Sequence, residues 1–252
     1  MHELDELSDS AWATLAPHLA GKAGDVGRSG QDNRLFLNAV FWVARHGCAW
    51  RALPARFGKH DTVRKRSRRW AQKGVWARLF AAVQTPDLDW VLLDSTVVRT
   101  TPRRRAAEKS RVGDEALGRS RGRLSTKVHV LADAQGRPVH VVLGAGQQHD
   151  CTRAMELLQA VRKTGKVLAD KAHDTNQVLA AVAALGAEAV IPSQPHRRAA
   201  RPVDLVCYRQ RNRIERLMGR LKQFRRLATR YDKTASSYLG FVHFGCALLW
   251  LR

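Results

Sequence analysis

The sequence predicts an α/β protein preceded by a small all-helical part, and three observations carry this. Residues 1–85 place apolar side chains at helical spacing. From WVLLDSTVV onward, dense aliphatic and β-branched runs alternate with helical patterns, as in a mixed sheet flanked by helices. The period changes at TPDLD (Thr85–Asp89), which divides the chain into domains 1–85 and 86–252.

In the first part, SDSAWATLAPHL has an N-cap signal at Ser8. The next segment, DNRLFLNAVFWVARHG, aligns Leu35, Phe36, Ala39, Val40 and Val43 and stops at Gly47. AWRALPARFG is a short helical piece ending at Gly58. HDTVRKRSRRWAQKG follows, with Asp61 or Thr62 as N-cap and Gly74 as end signal. Helix, short helix, tight turn and basic helix is the order of a helix-turn-helix. Arg64, Lys65, Arg66, Arg68 and Arg69 crowd the last helix. Taken alone, they read equally well as a DNA-contacting face or as the solvated face of an ordinary bundle.

In the second part, WVLLDSTVV is a strand with one acid, Asp94, inside it. Pro102–Arg123 is a basic, mobile loop. STKVHVLADAQGRPVHVVLGAG is a β-hairpin turning at Gly136. TRAMELLQAVRKTG is an amphipathic helix closed by Gly165, and KVLAD is a strand ending on Asp170. TNQVLAAVAALG is a helix and AEAVIPS a strand. A basic loop then leads into a helix over YRQRNRIERLMGRLK, Tyr208–Lys222. Asp150 reads as a helix N-cap or as a site residue. The apolar run YLGFVHFGCALLWL falls short of the ~18 residues a membrane span needs and is expected to be a buried helix or strand.

The formal net charge is +22. Such a chain repels itself unless it meets a polyanion, so nucleic acid is the leading partner and an anionic membrane surface the second. Cys48, Cys151, Cys207 and Cys246 are too far apart for a zinc knuckle or a redox pair. Reduced thiols, and an N-terminus unlike a signal peptide, indicate a soluble cytoplasmic protein.

A carboxylate within an aliphatic strand is costly unless it is paired with a cation or a metal. For Asp94 or Asp170 alone, an arginine partner is sufficient explanation. The Tyr208–Lys222 helix adds more. At 100° per residue, Tyr208, Arg211, Glu215 and Lys222 share a stripe ~60° wide. Ile214, Leu217, Leu221 and Phe224 form a core-facing stripe, and Arg209, Arg213, Arg216, Arg220 and Gln223 a basic one. A single acid among so many bases suits a ligand for a hard divalent cation, with the bases holding nucleic acid.

The spacing Tyr208-x2-Arg211-x3-Glu215-x6-Lys222 resembles the signature of bacterial insertion-sequence DDE transposases, most nearly the insertion-sequence-five type. The resemblance covers nearly the whole chain. DSTVVR, ALGRSRGRLSTKVHVLADAQGRP, LADKAHD, ATRYDK and LLWLR are similar to that family's segments, as are GCAWRALPARFGKHDTV and RRWAQKGVW in the first part. It implies an RNase H-like catalytic core in which Asp94, Asp170 and Glu215 are the catalytic residues and hold two Mg²⁺ ions, with Mn²⁺ able to substitute. It also implies DNA contacts by Tyr208, Arg211, Arg216, Arg220 and Lys222, and by Arg64, Lys65, Arg68 and Arg69. The expected partner is double-stranded DNA, both the inverted-repeat ends of the element and the target, bound by a homo-oligomer at the bacterial nucleoid and not at a membrane. The chain departs from the pattern at His173, where an aromatic is usual, at Thr100, and at Arg64 and Ser67, where Tyr and Phe are expected. A DNA-binding regulator with an inactive core, and a stand-alone nuclease or resolvase on the same fold, are the rival readings; charge does not separate them.

Overall fold

The computed structural model describes residues 6–21, 25, 32–101, 116–120 and 123–251. Helix α1 (Asp9–Leu15) starts at Ser8, whose hydroxyl accepts the Ala11 N–H. Helix α2 (Asn33–His46) is capped by Asp32 and ends at Gly47, whose positive φ is the left-handed stop. Helices α3 (His60–Gln72) and α4 (Val75–Ala82) are separated by Gly74, also at positive φ. There follow β1 (Trp90–Thr100), β2 (Gly118–Ser120), β3 (Arg123–Ala132), β4 (Pro138–Ala145), α5 (Ala154–Leu158), β5 (Lys166–Leu168), α6 (Asn176–Ala184) and β6 (Glu188–Val190). Helices α7 (Leu205–Tyr208), α8 (Asn212–Lys222), α9 (Arg225–Ala228) and α10 (Ala235–Trp250) complete the chain.

These elements form two compact units. One gathers the described residues up to Gln84 with those from Leu221 on; the other holds Thr85–Thr100 and the described residues between Ala116 and Arg220. The two sequence domains expected were consecutive, whereas the compact grouping is not. In the first unit α10 packs on α3 and α4. Trp76 of α4 meets Phe244 of α10 with ring centroids 5.1 Å apart. A Cβ on Gly240 would lie 2.8 Å from the Trp76 ring, so α10 approaches this closely only because that residue is glycine. Among the described residues no helix is long and apolar enough to cross a membrane; the C-terminal apolar run is the buried helix α10.

The second unit is built on a mixed sheet of order β2-β3-β1-β5-β6, with β4 also paired to β3. β1 runs antiparallel to β3 and parallel to β5. Val91, Leu93, Leu131 and Val142 form a core with Leu157 of α5 and Val178 and Val182 of α6. Ile214 and Leu217 of α8 are fully buried, as their helical stripe requires.

Several local expectations are corrected. Leu35 is 37% exposed and leaves the α2 stripe. Lys59, without a side-chain cap, precedes α3, because Asp61 sits in the first turn and is used by Arg64. The helix expected to run to Gly165 ends at Leu158, where tighter Ala160→Leu157 and Val161→Leu158 bonds turn the chain and bring Val161 into the core. Asp150 caps no helix; His149 holds that position in the 3₁₀ turn Asp150–Arg153. The helix expected over Tyr208–Lys222 is α7, a 3₁₀ turn at Arg209–Arg211, and α8. Most of the basic segment Pro102–Arg123 lies outside the described residues, but Gly118–Ser120 pairs with Arg123–Ser125 as β2.

Candidate active site

The parallel pairing of β1 and β5 ends at Leu92 opposite Leu168. Asp94 and Asp170 each lie two residues beyond that last pair. With the two-residue period of a strand, both point to the same face as that pair, just past the end of the parallel pairing. Asp94 remains in β1, opposite Val130 of β3, while Asp170 has left β5 and opens a 3₁₀ turn. The carboxylate of Asp170 accepts the Ala172 N–H at 3.0 Å and lies 2.8 Å from Nδ1 of the buried His173.

Glu215 reaches the site through one arginine. Arg211 donates to Asp94 Oδ2 at 3.3 Å and to Glu215 Oε1. The tightened turn at Arg209–Arg211 leads directly into α8, so Arg211 and Glu215 remain one helical turn apart. Burial pushes the Asp94 carboxyl up, and the charge of Asp170 adds to this, against the Ser95 N–H and Arg211, which lower it. Asp170 is pulled down, chiefly by its hydrogen bond to His173. The two carboxylates are displaced in opposite directions because burial dominates at Asp94 and the His173 bond at Asp170.

The donor chemistry fits a hard divalent ion, since carboxylate oxygens are what such ions take. Among the described residues no three His, Cys, Asp or Glu side chains converge closely enough to hold one. Arg211 instead joins the strand acid to the helix acid.

A second network, which the sequence did not announce, lies on the opposite face of β1. The Asp150 carboxylate accepts hydrogen bonds from Ser95 Oγ and, at 2.9 Å, from Lys127 Nζ. Lys127 also donates to the Gln148 carbonyl at 2.6 Å. Burial raises Asp150, but the bonds from Ser95 and Lys127 outweigh it and hold the group low. Ser95 follows Asp94, and its N–H bonds Asp94 Oδ1 at 2.7 Å, so this network braces the backbone that carries Asp94. The only sequence signal was the acid in GQQHD.

The basic residues divide by use. Arg213 and Arg220 donate to the carbonyls of Ala134 and Gly136, tying α8 to the β3–β4 turn. A Cβ on Gly136 would lie 2.8 Å from the Arg213 Cβ, which explains the glycine in that turn. Arg209, Arg216 and Lys222 are exposed, and Tyr208 is half-buried. On α3, Arg64, Lys65, Arg68 and Arg69 are exposed, whereas Arg66 lies over the Phe36 and Trp70 rings at 4.2 and 4.9 Å.

Comparison with known proteins adds the following. Residues 7–80 match a family described as "Putative transposase of IS4/5 family", and residues 86–250 match one described as "Transposase DDE domain". The chain is similar to "Putative transposase for insertion sequence element IS6501" of Brucella ovis, 38% identical over 130 residues, which are 51% of this chain and 100% of that protein. It is 36% identical to "Uncharacterized protein y4sN" of Sinorhizobium fredii over 114 residues, 44% of this chain and 90% of that one. It is 29% identical to "Putative transposase for insertion sequence element IS402" of Burkholderia cepacia over 140 residues, 51% of this chain and 64% of that one. Among solved structures, a piggyBac transposase synaptic complex with hairpin DNA superposes with a TM-score of 0.54 at 11% identity, covering 93% of this chain and 69% of that one. At that identity the likeness is one of fold.

Proposed function

Because the chain belongs to the transposase DDE domain family, we propose that Asp94, Asp170 and Glu215 are the carboxylates at which it cuts and joins DNA. The chain is an insertion-sequence transposase, with an RNase H-like core and a divalent-metal-dependent reaction. Family membership favours this over a regulator with an inactive core and over a stand-alone nuclease.

The observation that supports the triad is the reach of Arg211 to both Asp94 and Glu215, with Asp170 level with Asp94 just past the end of the β1–β5 pairing. The three acids would hold the metal, in our reading two Mg²⁺ ions. When bound, the metal supplies an activated water or 3′-hydroxyl and neutralises the leaving oxygen. Arg211 compensates acid charge in the structure described; relieved of that, its guanidinium faces a DNA phosphate. His173 fixes the orientation of Asp170, Lys222 and Tyr208 hold the DNA backbone beside the acids, and Arg216 holds it from the basic face of the helix. Arg64, Lys65, Arg68 and Arg69 of α3 contact duplex DNA of the inverted-repeat ends. The enzyme acts as a homo-oligomer on the DNA of the bacterial nucleoid, in the cytoplasm.

Asp94→Asn, Asp170→Asn and Glu215→Gln should each abolish strand nicking in Mg²⁺ while leaving binding of end DNA within about twofold, since charge-neutral isosteres preserve the surface. Nicking and gel-shift assays run in parallel measure this. Near-native nicking by any one of the three removes that residue from the triad.

A further inference from the structure

A groove of about 440 Å³ opens in the helical unit beside α3. We propose that it receives one unpaired nucleotide of a DNA strand. The inference deepens the transposase reading and rests on it.

One wall is α3, with Arg64, Ser67 and Arg68; the other is the segment before α10, with Tyr231 and Lys233. The floor is the buried pair Arg226–Asp232. Arg226 donates to Asp232 through Nε at 3.1 Å and Nη2 at 2.8 Å, and to the Cys48 carbonyl through Nη1 at 2.9 Å. Its guanidinium lies 5.3 Å from the Trp50 ring and 5.6 Å from the Tyr231 ring. The floor is therefore satisfied and close to neutral. The positive charge available to a ligand belongs to the walls. Arg68 and Lys233 are exposed and have no acidic partner among the described residues, and Arg64 holds only the exposed Asp61.

Two features separate this groove from a general phosphate-binding face. Tyr231, 39% exposed, is the one aromatic among the exposed large apolar residues described. An aromatic wall does nothing for a duplex, whose bases are stacked inside. It is what an unstacked base packs against, whatever its identity. The second feature is Ser67. It is 6% exposed on the face of α3 that also buries Val63 and Trp70, and it lines the groove with the smallest side chain on that wall. A phenylalanine there would project into the space. The volume is that of a small-molecule site and accommodates a nucleotide. The base would lie against Tyr231 and its phosphate between Arg68 and Lys233.

The test uses the full chain and fluorescence anisotropy with two probes: an oligothymidine of roughly eight nucleotides and a mixed-sequence duplex. Tyr231→Ala should weaken oligothymidine binding about tenfold, the worth of one base–aromatic stack, and leave the duplex unchanged. Tyr231→Phe, which keeps the ring, should bind as the native chain does. Ser67→Phe should weaken oligothymidine binding without lowering the melting temperature. Arg68→Ala with Lys233→Ala should reduce the salt slope for oligothymidine by about 0.7, one phosphate contact on a single strand. Unchanged oligothymidine affinity in Tyr231→Ala overturns the proposal, and so does an equal loss for both probes, which would make the groove a general basic surface. A native chain that binds neither probe overturns the DNA reading itself, so the two failures are distinguishable.

Discussion

Asp174 has no exposed side-chain surface, yet it is ionised. Burial raises its pKa, but the Gln194 N–H and the guanidinium groups of Arg197 and Arg201 outweigh this and hold it at about 2. The two arginines and Gln194 come from the basic loop before α7, so one acid ties that loop beside the Asp170 turn. The folded pKa lies below the ordinary value of 3.8, so the group stabilises the fold above that value and loses the effect as pH falls toward 2. Asp174→Asn should cost about 2 kcal/mol near pH 7 by this linkage, and the difference should shrink in acid. Urea denaturation of both proteins across a pH series measures it; a deficit that stays constant down to about pH 2 would assign the loss to packing instead of charge. Arg66, Arg213 and Arg220 make the same point for cations. All three looked like free positive charge, and each is engaged within the fold.

At the scale of the element, α8 carries three kinds of side chain at fixed angles. Ile214, Leu217 and Leu221 are buried, in keeping with the stripe that helical spacing assigns them. Glu215 and Lys222 are seven residues apart, close to two full turns, whereas Arg216 is turned ~100° from Glu215. Lys222→Ala should therefore slow single-turnover cleavage or joining strongly, tenfold or more by loss of one charge beside developing negative charge, with little change in affinity. Arg216→Ala should weaken DNA binding for all sequences and lower the salt slope by about one. Nicking at saturating protein and a salt series on both variants separate the roles; identical profiles would leave only a shared positive field.

For the whole molecule, the sequence boundary near residue 85 and the compact grouping answer different questions. Family matches break between residues 80 and 86. Compactness instead joins α1–α4 to the C-terminal helices. Trp76 is 2% exposed because Phe244 and Gly240 of α10 cover it, and Tyr238 donates its hydroxyl to the Leu227 carbonyl at 2.7 Å within the same unit. A fragment of residues 1–84 would expose that surface and is too small to compensate for it. It should show no cooperative thermal transition by circular dichroism, and adding residues 221–252 in trans should restore part of the helical signal. A sharp melt of the fragment alone would show that α10 is dispensable. End recognition by α3 is accordingly best measured on the full chain.

Much of the secondary structure was already written locally. Ser8 announced a helix start, Gly47 and Gly74 announced ends, and Gly136 marked the hairpin turn, because caps and positive-φ positions act through neighbours in sequence. The acid inside VLLDST and the acid after KVLA were conspicuous for the same reason: an aliphatic strand tolerates few charges. Their convergence was a different matter. That Asp94 and Asp170 lie level with each other follows from the β1–β5 register, and register is a long-range pairing. Only the tertiary structure could show that Asp150 bonds Ser95 across 55 residues, or that Arg211 spans 117 residues to Asp94. It also decided that Ser67, a weak core residue by its helix face, lines one groove with Tyr231. Spacing and composition singled out the candidate residues; chain-distant packing, which a linear pattern does not encode, decided which of them meet and which are already engaged.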